Sequence, residues 1–305
     1  MLQFTRMQVG LALSVVLSLA AVQPANATFV PEDEIRSDLI VSGTPNLNEQ
    51  EFEALLLKIE TAYSPVAKAL GGKLSISGDW SSKRLNAGAT QFWGRWKVKI
   101  TGELARRPEL TPDGFSLIVC HELGHHLAGF PLNPPEFLIG LWAATEGQAD
   151  YFATQVCARK IWAGDVALNA TFRNSASEFV QRTCNSAWKT PDDQNLCYRI
   201  ATAAESTTLT MANIKKVPAP NYEKPDLTQV PKTSLRHPSV QCRMDTSLQG
   251  ALCSASWDES LIPGKETKAG YDSLDAEHEA AKTSCMSASG YTVGLRPTCW
   301  FKARL

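Results

Sequence analysis

Neither sign of charge dominates this 305-residue chain: 30 Lys+Arg stand against 31 Asp+Glu, a formal net charge of −1. With no basic excess to neutralise phosphates, electrostatic binding to nucleic acid or to an anionic membrane surface is excluded. The sequence has no internal repeat and no low-complexity tract, which excludes a repeat array. Past residue 27, no run approaches the roughly 20 apolar residues that a membrane-crossing helix needs, so no integral membrane segment is expected there. There is no C-x-x-C pair, which argues against a thiol redox enzyme and against a cysteine zinc site. A charged content of 20% beside 44% hydrophobic residues excludes a disordered chain.

What is present begins with Arg6, the apolar run Val9 to Val22, and then Gln23-Pro24-Ala25-Asn26-Ala27. This pattern reads as a secretory signal over residues 1–27 with an A-x-A cleavage site after Ala27. The apolar run is too short for a comfortable membrane anchor. An exported protein, periplasmic or secreted, is the expectation. All 8 cysteines lie beyond residue 27, and oxidising compartments preserve disulfides. Nearest-neighbour pairing suggests Cys184 with Cys197, Cys242 with Cys253 and Cys285 with Cys299, leaving Cys120 with Cys157.

Hydrophobic spacing predicts a helix over residues 49–62, and Ser64-Pro65 restarts a short one that Gly71-Gly72 ends. Alternation predicts strands over 73–77 and 96–100, the second with Trp96, Val98 and Ile100 on one face. Thr111 as N-cap, Pro112 at the first helical position and Gly129 as terminator bound a helix over 112–128. A second helix is expected over about 138–162, and further ones over 167–187 and 193–214. Prolines 218, 220, 225 and 231 make an extended connection, either a linker or a functional cover. A disulfide-stapled, mainly helical tail follows.

The helix from Pro112 carries His121-Glu122-Leu123-Gly124-His125, an H-E-x-x-H motif. On a helix, positions 121 and 125 share a face, so both imidazoles can reach one metal ion with Glu122 beside them. A third donor is available in Glu146-Gly147-Gln148-Ala149-Asp150, whose two carboxylates share a face of the next helix. Glu146 is the expected ligand, while Asp150 is expected to accept from the far nitrogen of a ligand histidine and fix its tautomer. Leu141, Trp142, Ala149, Phe152 and Ala153 describe a buried helix, where carboxylates need partners. His126 points away from the His125 face and reads as a packing or surface residue, and His278 as a solvated one.

These motifs resemble those of a gluzincin zinc metallopeptidase, in particular the HtpX-type family of zinc endopeptidases. The resemblance runs from Asn86 to Arg243. Leu85-Asn86-Ala87-Gly88-Ala89 is similar to the family's Asn-Ala-x-Ala segment ahead of an active-site edge strand, here Trp96 to Ile100. Glu146-Gly147-Gln148-Ala149-Asp150 resembles its Glu-x-Glu-Ala-Asp, with Gln148 in place of the second Glu. His237-Pro238-Ser239-Val240-Gln241-Cys242-Arg243 matches a late His-Pro-x-x-x-x-Arg pattern. Only 20 residues separate His125 from Glu146, a thermolysin-like spacing shorter than is usual in that family. The membrane spans of several relatives are absent from the sequence.

The resemblance implies an α+β, mainly helical zincin-like fold with a small sheet and a disulfide-bonded helical C-terminal part. The implied division is a metallopeptidase domain over 28–215, with 216–305 carrying the Pro-rich loop, the His-Pro motif and the tail. It further implies Zn2+ held by His121, His125 and Glu146, Asp150 behind them, and Glu122 as general base and then acid. The substrate would be a protein or peptide added as a strand to the edge Trp96 to Ile100. His237 is read as an oxyanion stabiliser, a latch on the metal, or a structural contact. Arg243 would bind the tetrahedral intermediate or pair a buried carboxylate. The competing class is a noncatalytic or permanently latched exported zinc protein, a binding scaffold or chaperone-like factor, and the tail leaves room for a protein partner.

Overall fold

The computed structural model describes residues 27–35, 44–135 and 140–304. The expected signal over residues 1–27 thus lies outside the described residues except for Ala27. The elements are β1 (Ala27–Thr28), α1 (Glu49–Ala69), β2 (Lys73–Asp79), β3 (Ala87–Phe92), β4 (Arg95–Thr101), α2 (Gly102–Ala105) and α3 (Pro112–Leu127). They continue with α4 (Glu146–Phe152), a π-helical stretch Ala153–Cys157, α5 (Ala158–Trp162), α6 (Val166–Thr171), α7 (Glu178–Ala187), α8 (Pro191–Lys215), α9 (Val240–Leu252) and α10 (Leu274–Ala281). The protein is mainly helical, with a small sheet of β3, β4 and β2 that two-residue β1 extends in the order β1-β3-β4-β2.

In β4, Trp96, Val98 and Ile100 are buried and Lys97 and Lys99 exposed, as the alternation predicts. The expectation that this strand is an edge is overturned. It pairs antiparallel with β3 and parallel with β2, so its backbone groups are spent on both sides. The outer edge on the β3 side is met by β1, with Ala27 opposite Ala89 and Thr28 opposite Gly88. The strand β3 is short and carries Gly88 and Thr90 among its apolar residues, a pattern too weak to announce itself.

Helix α1 begins with a capping box between Asn48 and Glu51 and runs straight through Pro65, in place of two helices. Pro65 removes one backbone hydrogen bond. The apolar stripe Phe52, Leu56, Ile59, Tyr63, Val66 and Ala67 nevertheless stays buried in helical register, and that packing holds the helix together. Helix α3 is buried along nearly its whole length, in contact with the sheet, α1, α4 and α8. Thr111 caps it by accepting from the Gly114 amide at 3.1 Å. Arg199 of α8 clamps Asp113 in its first turn through two 2.8 Å contacts. A side chain at Gly124 would press on the Ala149 backbone at 3.0 Å, so this glycine sets how closely α3 and α4 approach.

The second metal-motif helix starts at Glu146; of the stretch expected before it, residues 138 and 139 lie outside the described residues. Residues 140–145 are non-helical; Leu132 and Ala144 form a bridge, and Thr145 precedes the helix in an extended conformation. The helix predicted over 167–187 is two, because Ser177 caps a fresh start at Glu178 by accepting from the Val180 amide. The one predicted over 193–214 runs from Pro191 to Lys215. The Pro-rich connection is extended, as read, and it is tied down: the Val230 amide donates to Thr298 O and the Ser234 amide to Trp300 O. The tail is less helical than expected, since only α10 and one short turn of 3-10 helix follow α9.

Two of the four nearest-neighbour disulfides are corrected. Cys120–Cys157 and Cys184–Cys197 form as paired in sequence, but Cys242 bonds Cys299 and Cys253 bonds Cys285. Cys242 and Cys253 sit at opposite ends of α9. A helix of that span separates them by about 16 Å, far beyond disulfide reach. Helix α9 packs on α8 and α4, and its Val240, Met244 and Leu248 join the same core as the sheet. No helix among the described residues is long and apolar enough to cross a membrane.

Candidate metal centre

Helices α3 and α4 bring His121, His125 and Glu146 into one buried group whose ligand atoms lie within 4.8 Å of one another. His121 Nε2 is 3.3 Å from Glu146 Oε2, and His125 Nε2 is 3.7 Å from Glu146 Oε1. Each imidazole is oriented from behind. His121 Nδ1 lies 2.8 Å from Asp150 Oδ1, and His125 Nδ1 lies 2.9 Å from the Ala144 carbonyl. A carbonyl and a carboxylate can only accept, so Nδ1 carries a proton on both rings and Nε2 is the atom each ring turns toward Glu146.

These residues fit a zinc ion. His125 Nε2 and Glu146 Oε2 are buried without a hydrogen-bond partner, and buried polar groups left so are costly unless something else satisfies them. Two imidazoles and one carboxylate are a donor set suited to Zn2+. The arrangement of Asp150 behind His121 is the one expected from the spacing of the second motif.

Arg243 completes this layer. Its Nε and one terminal nitrogen donate to the two Asp150 oxygens at 2.7 Å each, and another donates to the Phe29 carbonyl at 2.8 Å. Of the two roles read for Arg243, the pairing of a buried carboxylate is thus realised. Burial opposes the Asp150 charge, yet Arg243 and His121 hold its carboxyl well below the usual range. Burial likewise opposes charge on His121, and Asp150 overrides it, raising the ring to about 9. His125 has only a carbonyl behind it, and burial lowers it to about 4.

Glu122 lies beside the donors with 0% exposure, and neither of its carboxylate oxygens has a hydrogen-bond partner. Burial pushes its carboxyl up to about 8. His237 reaches the same place from the far end of the sequence: its Nε2 is 2.7 Å from the Thr28 carbonyl and 3.2 Å from Glu146 Oε2. Burial lowers its pKa, so it is a neutral ring that donates from Nε2 to Thr28 O.

Sequence reasoning missed three participants. The Ala144 carbonyl is brought there by two backbone bonds, Ala144 N donating to His125 O and Thr145 N to Pro131 O at 2.9 Å each. Gln148, which replaces a glutamate of the family pattern, donates to Ala128 O at 3.0 Å and so satisfies a carbonyl at the end of α3, which an ionised glutamate cannot do. Phe29 packs edge-on to His121, ring centroids 5.7 Å apart. Backbone acceptors and long-range partners leave no local pattern. The remaining histidines take the places expected: His126 is packed against Trp96 and Trp142, and His278 is exposed on α10. Tyr151 turns away and bonds Gly294 O.

Against known proteins, no family model, no curated protein and no solved structure matches this chain.

Proposed function

We propose that the chain is an exported zinc metalloendopeptidase, a zincin-like enzyme of gluzincin type that hydrolyses peptide bonds of exported or misfolded proteins. The observation that carries the reading is Glu122, a carboxylate with two unpartnered buried oxygens adjacent in sequence to His121. A purely structural metal site has no use for such a group. His121, His125 and Glu146 would hold Zn2+, which when bound supplies Lewis acidity for a carbonyl and acidifies water.

The chain's own groups do the rest. Burial gives Glu122 a proton affinity high enough to take the proton of an attacking water, and a cation alongside adjusts it downward. The same carboxyl then returns that proton to the leaving amine. Neutral His237 donates from Nε2 toward a carbonyl oxygen at the site, the position from which developing negative charge is stabilised. Arg243 holds Asp150, which holds His121.

The test is cleavage of an unfolded protein by the purified chain beside Glu122→Gln, both shown to contain zinc. Hydrolysis by the first and a loss of at least about a hundredfold in the second is the expected result. No hydrolysis by either form sinks the peptidase reading in favour of a noncatalytic exported zinc protein, a scaffold or chaperone-like factor. That second reading draws on the burial of His121, His125 and Glu146, none more than 4% exposed.

A further inference from the structure

We infer that the chain's own residues 27–30 occupy the peptide-strand site of this centre and block it, an inference that rests on the peptidase reading for what the site would otherwise hold. Strand β1 adds antiparallel to the outer edge of β3, and the pairing continues with Phe29 N donating to Ala87 O at 3.1 Å. Adding a strand to a sheet edge is a general mode of peptide recognition.

What separates this segment from an ordinary edge strand is where its carbonyls go. Two successive carbonyls are each held by a side chain of the metal centre: Thr28 O by His237 at 2.7 Å and Phe29 O by Arg243 at 2.8 Å. His237 is itself 3.2 Å from Glu146, and Arg243 is bonded to Asp150. Both donors come from the connection to α9 and its first turn, more than 200 residues away in sequence. The Thr28 carbonyl is therefore held by the side chain proposed above to stabilise a reacting carbonyl, with the bond to Phe29 following it. The Phe29 ring is 1% exposed; it stands edge-on to His121, with the Arg243 guanidinium 4.9 Å from its centroid.

Two consequences follow. A substrate must displace residues 27–30, so turnover is held back while they remain. The displacing peptide must be extended and carry a bulky apolar residue in the place of Phe29.

The test uses the chain from Ala27 onward, as wild type and as Phe29→Ala, with a fluorescent peptide of sequence Ala-Thr-Phe-Val-Pro, that of residues 27–31. The peptide is expected to bind Phe29→Ala at least tenfold tighter than wild type. Saturating wild type with it is expected to speed hydrogen exchange of the Phe29 amide at least tenfold, since the two strands compete for Ala87 O. A replacement of the Phe29 ring by alanine in the peptide is expected to abolish both effects. Equal affinity for both chains with unchanged Phe29 exchange overturns the inference. Should Phe29→Ala fail to fold, the exchange measurement on wild type decides alone. Neither readout requires catalysis: peptide displacement without hydrolysis of any substrate sinks the peptidase reading and keeps this one. Hydrolysis with the same KM in wild type and Phe29→Ala, and no displacement, does the reverse.

Discussion

His121 Nδ1 and Asp150 Oδ1 lie 2.8 Å apart, and through this contact the helix bearing two candidate metal donors is tied to the helix bearing the third. Asp150 is bonded on its other side by Arg243, so one carboxylate both orients the His121 ring and neutralises a buried cation.

Asp150→Ala is expected to lower zinc affinity about 10- to 100-fold, the usual effect of losing a group that orients a ligand histidine. It also strands Arg243, at a cost of about 3–5 kcal/mol for an unpaired buried charge. Competition with a chelator of known affinity and a denaturant titration of the metal-free protein measure the two effects separately. Unchanged affinity would remove Asp150 from any role in the centre.

Gly124→Ala places a methyl against Ala149 Cα at 3.0 Å and Ala149 O at 3.1 Å. These are backbone atoms, so α3 and α4 must part. The expected cost is about 1–3 kcal/mol of overpacking, together with weaker metal binding, because the helices carry donors from opposite sides. Ala at Gly140, which has nothing within 4 Å among the described residues but a φ of 84°, is expected to cost stability without altering metal affinity.

Burial lowers His126 from 6.5 to about 3. Between those values the unfolded chain binds a proton that the folded chain refuses. Its contribution to stability is therefore full above pH 6.5 and declines as pH falls toward 3, by about 1.4 kcal/mol per pH unit. In His126→Phe, which keeps a ring between Trp96 and Trp142, the slope of unfolding free energy between pH 6 and pH 4 is expected to be shallower by that amount. Denaturant titrations at several pH values, wild type against variant, read the difference; identical slopes would contradict it.

Thiol titration of the unfolded, unreduced protein is expected to find no free thiol, since every cysteine is bonded. Peptide mapping is expected to recover Cys242 with Cys299 and Cys253 with Cys285. Replacing Cys120 and Cys157 together by alanine is expected to cost about 2–4 kcal/mol.

Legibility in the sequence followed the range of the interaction. The H-E-x-x-H and Glu-x-x-x-Asp spacings each act within one helix, so the meeting of His121, His125, Glu146 and Asp150 could be read from residue types alone. The caps at Thr111 and Pro112 fixed where α3 begins for the same reason. What failed was decided elsewhere in the chain. Whether β4 is an edge depends on β2 and β3 together, and β3 has little apolar content. The start of α4 depends on a bridge back to Leu132. Pro65 reads locally as a break, but a buried stripe six residues deep overrules it. The disulfides of the tail depend on the length of α9, and the company of Thr28 and Phe29 with His237 and Arg243 on contacts across the entire chain.

The Cys120–Cys157 bond closes a loop over a separation of 37 residues, and His121, Glu122, His125, Glu146 and Asp150 all fall inside it. The oxidised chain is thus a covalent macrocycle containing every proposed metal donor. Even when helices are lost, the donors remain confined to one small ring, and their effective concentration toward one another stays far above that of an open chain. The oxidised unfolded protein should accordingly keep a residual affinity for zinc that the reduced unfolded protein lacks.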